Sequence, residues 1–210
     1  PEALRRVAQG RLGLAQCVAS WIPAFAVGGP RPVGPGIDPH TLQTVPAHPQ
    51  WAGQAVDPST VTLEHLLTHT AGMHAWLDLF RELGPAPGSP RPGENLEGER
   101  RRSAALSRIC QAPFASPPGC QPLYSDLGLI LLGEVLCRDS GSPLEATLAA
   151  DVLAPLGLVR CGFNPVAQGW ADLEDTVPTE LDRRWRGRRV RGQVHDENAC
   201  ALGGVAGHAG

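Results

Sequence analysis

The sequence predicts an α+β domain, mostly helical, with a few short strands late in the chain. Three observations carry this. The strongest helical segment holds Leu127, Ile130, Leu131, Leu132, Val135 and Leu136, and stops at Gly141. Strand character appears only afterwards, at Val159 to Phe163 and, as a weak alternation, at Arg188 to Val194. Gly (25) and Pro (21) are abundant enough to demand long irregular connections between these pieces.

The elements follow in order. Pro1 to Gln9 reads as the end of a helix, with Leu4, Val7 and Ala8 on one face and Gly10 as its stop. Ala15 to Trp21 is a second apolar helix or half-helix, closed by Pro23. Gly28 to Pro58 is loop by composition. Thr62 caps a helix running through Leu63, Leu66 and Leu67 to Thr68. Ala75 to Leu83 is a short helix bearing Trp76, Leu77, Leu79 and Phe80, Gly84 to Gly98 returns to loop, and Glu99 to Gln111 is a charged helix. The proline-rich run Pro113 to Pro122 leads to Tyr124, after which Ser125 caps the strongest helix. Pro143 opens the next helix, which runs to Leu153. The strand at Arg188 to Val194 suits a hairpin turning at Gly187 or Gly192, and Ala199 to Gly210 is small and glycine-rich. No internal repeat is visible. Both ends read as cut.

Composition narrows the function classes. The 210 residues fit one domain or one and a part. Hydrophobic content of 42% is that of a soluble globular chain. A net charge of −3 gives no global field for nucleic acid or an anionic membrane. The longest apolar run, Leu127 to Cys137, is broken by Glu134 and is too short to span a bilayer. All 18 basic residues are arginine, so no lysine can serve as a base. The six cysteines lack the paired spacing of a zinc site. They read as scattered thiols in a reducing compartment, with a Cys110–Cys120 disulfide as the alternative. A cytoplasmic location is favoured on this ground, with a periplasmic one open if a leader precedes Pro1.

Three segments point to a family. Thr62 to Met73 reads TLEHLLTHTAGM, Pro117 to Gly133 reads PPGCQPLYSDLGLILLG, and Val194 to Gly210 reads VHDENACALGGVAGHAG. Together they resemble the β-lactamase-related serine hydrolases, which include class C β-lactamases, D-alanyl-D-alanine peptidases and esterases. The resemblance runs over nearly the whole chain and implies a β-lactamase/transpeptidase-like fold, with this chain supplying mostly the helical region. It implies acyl-enzyme chemistry on an ester, amide or β-lactam, with a small acyl substrate or a peptidoglycan-like peptide as partner in an intact parent. No cofactor, metal or nucleic acid is expected. The opening PEALRRVAQGRLGLAQCVASWIPAF resembles the stretch just after the family's Ser-x-x-Lys motif. Without lysine, neither that pair nor a Lys-Thr-Gly third motif can lie in these residues. Residues 1–210 are therefore expected to be a partial domain, truncated at both ends and inactive alone.

The family's second motif, Tyr-x-Asn, appears as Tyr124-Ser125-Asp126. The resemblance makes Tyr124 a catalytic proton shuttle, as phenolate or as hydrogen-bond relay, and Asp126 the residue that orients the site. A tyrosine base needs a cation nearby to lower its pKa. Asp126 departs from the family's Asn and, when ionised, cannot donate a hydrogen bond. Ser125 caps the following helix and is a candidate substrate contact. His208-Ala209-Gly210 has the form of the esterase-like third motif, which makes His208 a candidate substrate contact. The expectation is nonetheless that the true third motif lies beyond Gly210.

Other clusters have structural readings. His65 and His69 lie four apart, but Leu66 stands where a metalloprotease helix would carry Glu, so a turn near the site is expected. His195, Asp196, Glu197 and Asn198 read as a loop wall or hydrogen-bonded turn rather than a metal site. Arg183 to Arg191 holds six arginines in nine residues, read as a solvated hairpin face paired with Glu180, Asp182 and Glu197. No serine lies in G-x-S-x-G, so an α/β-hydrolase elbow is not supported. The competing functional classes are a non-catalytic binding or regulatory relative and an arginine-led nucleic-acid binder.

Overall fold

The computed structural model describes residues 1–93 and 98–210. The part of the expected loop from Gly84 to Gly98 that falls at positions 94–97 lies outside the described residues. The helices are α1 (Glu2–Ala8), α2 (Leu63–Leu67), α3 (Leu79–Glu82), α4 (Gly98–Gln111), α5 (Asp126–Ser140), α6 (Leu144–Leu148) and α7 (Glu197–Ala201). The strands are two residues each: β1 (Arg31–Pro32), β2 (Gly36–Ile37), β3 (Thr44–Val45), β4 (Ala55–Val56), β5 (Leu181–Asp182) and β6 (Arg188–Arg189). They pair antiparallel as β1–β4, β2–β3 and β5–β6. Strands this short clip loops together; Val56 of β4 joins the core, which the helices and the loops packed on them otherwise supply.

Helix α5 is the centre of that core. Leu127, Ile130, Leu131, Leu132, Val135 and Leu136 are all buried, packed by α2 on one side and α6 on the other. Each such side chain contributes about 1.5–3 kcal/mol on leaving water. The helix begins where Ser125 Oγ accepts the Gly128 N–H at 3.2 Å. It ends at Gly141, whose φ of 68° is the left-handed C-terminal turn that glycine adopts without strain.

Several elements differ from expectation, each for a physical reason. Helix α1 does not bury its apolar face: Leu4 is 56% exposed, while Glu2, Ala3 and Arg6 are buried. An ionic network decides this. Arg6 binds Glu2, Asp139 and Asp151, and Arg5 joins Glu2 and Asp151 at 2.7 Å each, tying α1 to the end of α5 and the turn after α6. Ala15 to Trp21 supplies only a 3₁₀ turn at Val18–Ser20. Ala75 to Leu83 is helical only over α3, because the carbonyls of Ala75 and Leu77 accept from Asp126 N–H (2.9 Å) and Asn198 Nδ2 (2.9 Å) instead of within a helix. Beyond α6 the chain continues as a π turn, Ala149–Leu153. Val159 to Phe163 finds no ladder partner, and Val159 is 92% exposed. The late hairpin forms, but β6 covers only the first two residues of the expected strand. All six cysteines are free, so the Cys110–Cys120 disulfide is absent. Among the described residues no helix is long and apolar enough to cross a membrane.

Candidate active site

The site lies at the start of α5, where the loop after α2, the segment after the proline-rich run, and the α7 region meet. The loop after α2 is shaped by local geometry. Thr62 and His65 form a reciprocal cap on α2, with Thr62 Oγ1 accepting the His65 N–H and His65 Nδ1 accepting the Thr62 N–H. His69 then adopts a left-handed conformation, φ 56°, uncommon for a residue with a Cβ. Its carbonyl accepts the Leu123 N–H at 2.8 Å, its Nδ1 accepts the Ser125 N–H at 3.3 Å, and its ring lies 4.7 Å from the Tyr124 ring. The backbone on both sides of Tyr124 is thus held by one histidine. His65 and His69 serve a cap and a clamp, and do not converge on a common point. Gly72 allows the turn that follows to close: a Cβ there would stand 2.0 Å from the Ser116 carbonyl oxygen.

Tyr124 is 58% exposed, and Asp126 lies close enough to act electrostatically on its hydroxyl. Its pKa is raised, by partial burial first and then by the charge and hydrogen bond of Asp126, with Asp196 adding to both. The expected cation beside the phenol is missing among the described residues.

Ser125 is buried and its hydroxyl is committed: it donates to the His74 carbonyl at 2.6 Å while accepting the Gly128 N–H. It caps α5 as expected, but a direct substrate contact does not fit a hydroxyl with no free face. Asp126, the first residue of α5, lines an open cleft walled by Trp76 and Phe80 on one side and by the β5–β6 hairpin and Asp196 on the other. Its pKa is raised by burial, an effect opposed by His208 and reinforced by Asp196.

The α7 region brings two more groups. Asp196 caps α7, its Oδ1 accepting from Ala199 N–H (2.7 Å) and from His208 Nε2 (2.9 Å). Burial works to raise its pKa and is overcome by the bond and charge of His208 and by the Ala199 N–H, so the carboxyl is held below its usual range. His208 is 3% exposed at its side chain, and its Nδ1 faces the Ala206 carbonyl at 2.7 Å. Burial alone would lower the His208 pKa; the Asp196 bond and charge, with Asp126, raise it instead. His208, a candidate substrate contact by its motif, thus has a buried side chain with both ring nitrogens facing acceptors. Asp126, Asp196 and His208 are the group among the described residues whose ligand-type atoms converge, all within 4.8 Å.

The arginine-rich hairpin is solvated at Arg183, Arg184 and Arg189, as expected, but it also holds a buried ion pair with Asp182. Arg186 and Asp182 are a fully buried pair, 2.8 Å apart and each 0% exposed at the side chain. Asp182 also accepts the N–H groups of Arg184, Trp185 and Arg186. Arg186 donates onward to the carbonyls of Val194 (3.0 Å) and His195 (2.6 Å), which fixes the approach to Asp196. Arg184 reaches the His40 carbonyl (3.0 Å) and Arg188 the Gly88 carbonyl (2.7 Å). Glu180 pairs with His195 at 3.5 Å, not with an arginine of the hairpin. Asn198 is buried between the Phe80 N–H and the Leu77 carbonyl, so α7 and α3 are locked together under the cleft. Sequence reasoning missed His69 and Asp196 as site residues. The cap pattern from Asp196 to Ala199 was a local signal for the second; nothing local points Asp196 at His208, twelve residues on.

Comparison with known proteins places the chain in a family and a fold class. Residues 3–210 match the family described as Beta-lactamase. A putative D-alanyl-D-alanine carboxypeptidase of Escherichia coli is 32% identical over 148 residues, which cover 63% of this chain and 34% of that protein. Its counterpart in Salmonella newport is 30% identical over 149 residues, covering 64% and 34%. The chain therefore spans about a third of the length of the curated relatives it matches. Among solved structures, unliganded simvastatin synthase from Aspergillus terreus superposes with a TM-score of 0.50 at 21% identity, covering 99% of this chain and 46% of that one. That likeness concerns the fold. The α+β, β-lactamase/transpeptidase-like class expected from the sequence is the class observed.

Proposed function

The chain belongs to the Beta-lactamase family, and on that premise we propose that it carries the proton-shuttle side of an acyl-transfer site acting on an ester, amide or β-lactam. One observation supports the reading above the others. Tyr124, Ser125 and Asp126 sit at the N-terminus of the central core helix, with the exposed Tyr124 ring against His69 and Asp126 lining a cleft. A rigid helix start is where a shuttle must be anchored, because proton transfer requires hydrogen-bond reach to within tenths of an ångström.

The chemistry is attack by a serine hydroxyl on the carbonyl, an acyl-enzyme, and its hydrolysis. Tyr124 passes the proton from the attacking hydroxyl to the leaving group, Ser125 fixes the helix start beneath it, and Asp126 orients its hydroxyl. Residues 1–210 act as a partial domain in this reading. The Ser-x-x-Lys pair is not among them, since the chain has no lysine, and turnover needs those groups from polypeptide outside this span. The relatives named as D-alanyl-D-alanine carboxypeptidases make a peptide ending in D-alanyl-D-alanine the first substrate to try, with chromogenic esters and lactams beside it.

The test has two arms. The 210-residue chain alone should leave a chromogenic ester and lactam at the background rate. A polypeptide joining a Ser-x-x-Lys segment to this one should turn over, and Tyr124→Phe should lower kcat by about 10²–10⁴, the usual worth of a positioned acid–base group. Unchanged kcat in Tyr124→Phe would remove the shuttle assignment.

A further inference from the structure

We propose that His208 is a positioning residue: an imidazolium clamped by Asp196, it keeps the neighbouring Asp126 ionised so that Asp126 accepts the proton of the Tyr124 hydroxyl. The proposal rests on the acyl-transfer reading for the use to which that proton is put. Its physical content stands on the geometry of four side chains.

The cation follows from hydrogen-bond valence. His208 Nδ1 faces the Ala206 carbonyl at 2.7 Å and Nε2 faces the Asp196 carboxylate at 2.9 Å. A carbonyl and an ionised carboxylate can only accept, and a neutral imidazole has a single N–H to give. Satisfying both contacts takes both protons, hence a charged ring. That ring is buried, and the charged groups it faces are Asp196 and Asp126. Asp126 in turn faces Tyr124, Asp196, His208 and His69. Asp126 and Asp196 are partly buried carboxylates with converging atoms, and a nearby cation favours the ionised form of both. With converging atoms all within 4.8 Å, His208 is that cation.

The fold makes the placement rigid. The turn before His208 lies directly on α5: a Cβ on Gly207, φ 49°, would stand 2.1 Å from the Leu129 carbonyl oxygen. His208 is thus registered against the same helix that starts with Asp126. The arrangement also gives chemical sense to Asp where the family pattern has Asn. An amide cannot take a proton at this pH; a carboxylate can, provided something holds it ionised. In the attack step the serine O–H bond breaks as its proton passes to the Tyr124 oxygen, and Tyr124's own proton moves to Asp126. When the bond from the carbonyl carbon to the leaving atom breaks, Tyr124 gives that atom a proton and Asp126 returns its proton to Tyr124. The oxygen lone pair released on serine forms the new bond to the carbonyl carbon.

The experiment is a nuclear magnetic resonance titration of the Asp126 carboxyl carbon and the His208 ring in this chain, in the original sequence, in His208→Gln and in Asp126→Asn. In His208→Gln the Asp126 midpoint should rise by about one pH unit or more, the usual effect of an opposite charge at this range. In Asp126→Asn, a near-isosteric change chosen to keep the fold, the His208 midpoint should fall by a similar amount, since coupling between two sites is reciprocal. An unmoved His208 midpoint in Asp126→Asn overturns the proposal, as does an unmoved Asp126 midpoint in folded His208→Gln. No turnover enters these readings. Failure here leaves the Tyr124→Phe result untouched, and an active Tyr124→Phe enzyme would sink the shuttle while leaving the coupling measured.

Discussion

Replacing Arg186 by Ala should cost about 3–5 kcal/mol of folding stability, because it strips a buried carboxylate of its counter-ion. Arg186 and Asp182 are both fully buried. Without the guanidinium, Asp182 keeps three backbone N–H groups from Arg184 to Arg186 but carries an uncompensated charge. The carbonyls of Val194 and His195 lose their donors too, although water entering the vacated volume can serve them. The charge therefore dominates the loss. Urea unfolding followed by tryptophan fluorescence reads it directly, since Trp185 lies within the turn with its ring 5.2 Å from Phe80. Combining Asp182→Asn with Arg186→Met removes both charges and should destabilise by clearly less than the sum of the two single changes. A loss below about 1 kcal/mol in Arg186→Ala is the size of a solvated surface pair, and would show that the hairpin is not the buried ionic anchor described above.

Two further outcomes are expected. Arg5 and Arg6 overcome the burial of Glu2 and draw its pKa from 4.5 down to about 2. A carboxyl depressed on folding contributes stability that is complete above its unfolded pKa and drains away as pH falls through the folded one. Stability should thus drop by about 3 kcal/mol across that acid window, and pH-dependent unfolding of Glu2→Gln should lack this component. Gly207→Ala places a methyl against the Leu129 carbonyl in a left-handed backbone, and should lower the melting midpoint by the equivalent of about 2 kcal/mol or more. An unchanged midpoint would mean that the turn carrying His208 is not pressed on α5.

The features legible in the sequence are those set by neighbours along the chain. Helix α5 was readable from Ser125 to Gly141 because its cap, its apolar filling and its glycine stop are all local. Tyr124 and Asp126 were readable because their motif is contiguous. What failed was governed by distant partners. The apolar stripe of α1 lost to ion pairs with Asp139 and Asp151, more than a hundred residues away. The helix expected from Ala75 was cut short because Asp126 and Asn198 claim its carbonyls. Val159 to Phe163 had strand residues but no edge to join. The charge run from Arg183 is solvated at Arg183, Arg184 and Arg189 as read, but the burial of Arg186 was not legible, because sequence shows composition and not the carbonyls that guanidinium groups reach. His208 was readable only as a motif shape, and its pairing with Asp196 depends on how α7 folds back.

All 18 of the chain's Lys-or-Arg positions are arginine, and the 210 residues contain no ε-amine at all. Acylating dyes, aldehyde fixatives, acetyltransferases and ubiquitin-conjugating machinery aimed at lysine find no target side chain along this stretch. Labelling or surface attachment would go instead through thiols, where the exposed Cys120 and Cys161 offer handles away from the buried Cys110 and Cys200.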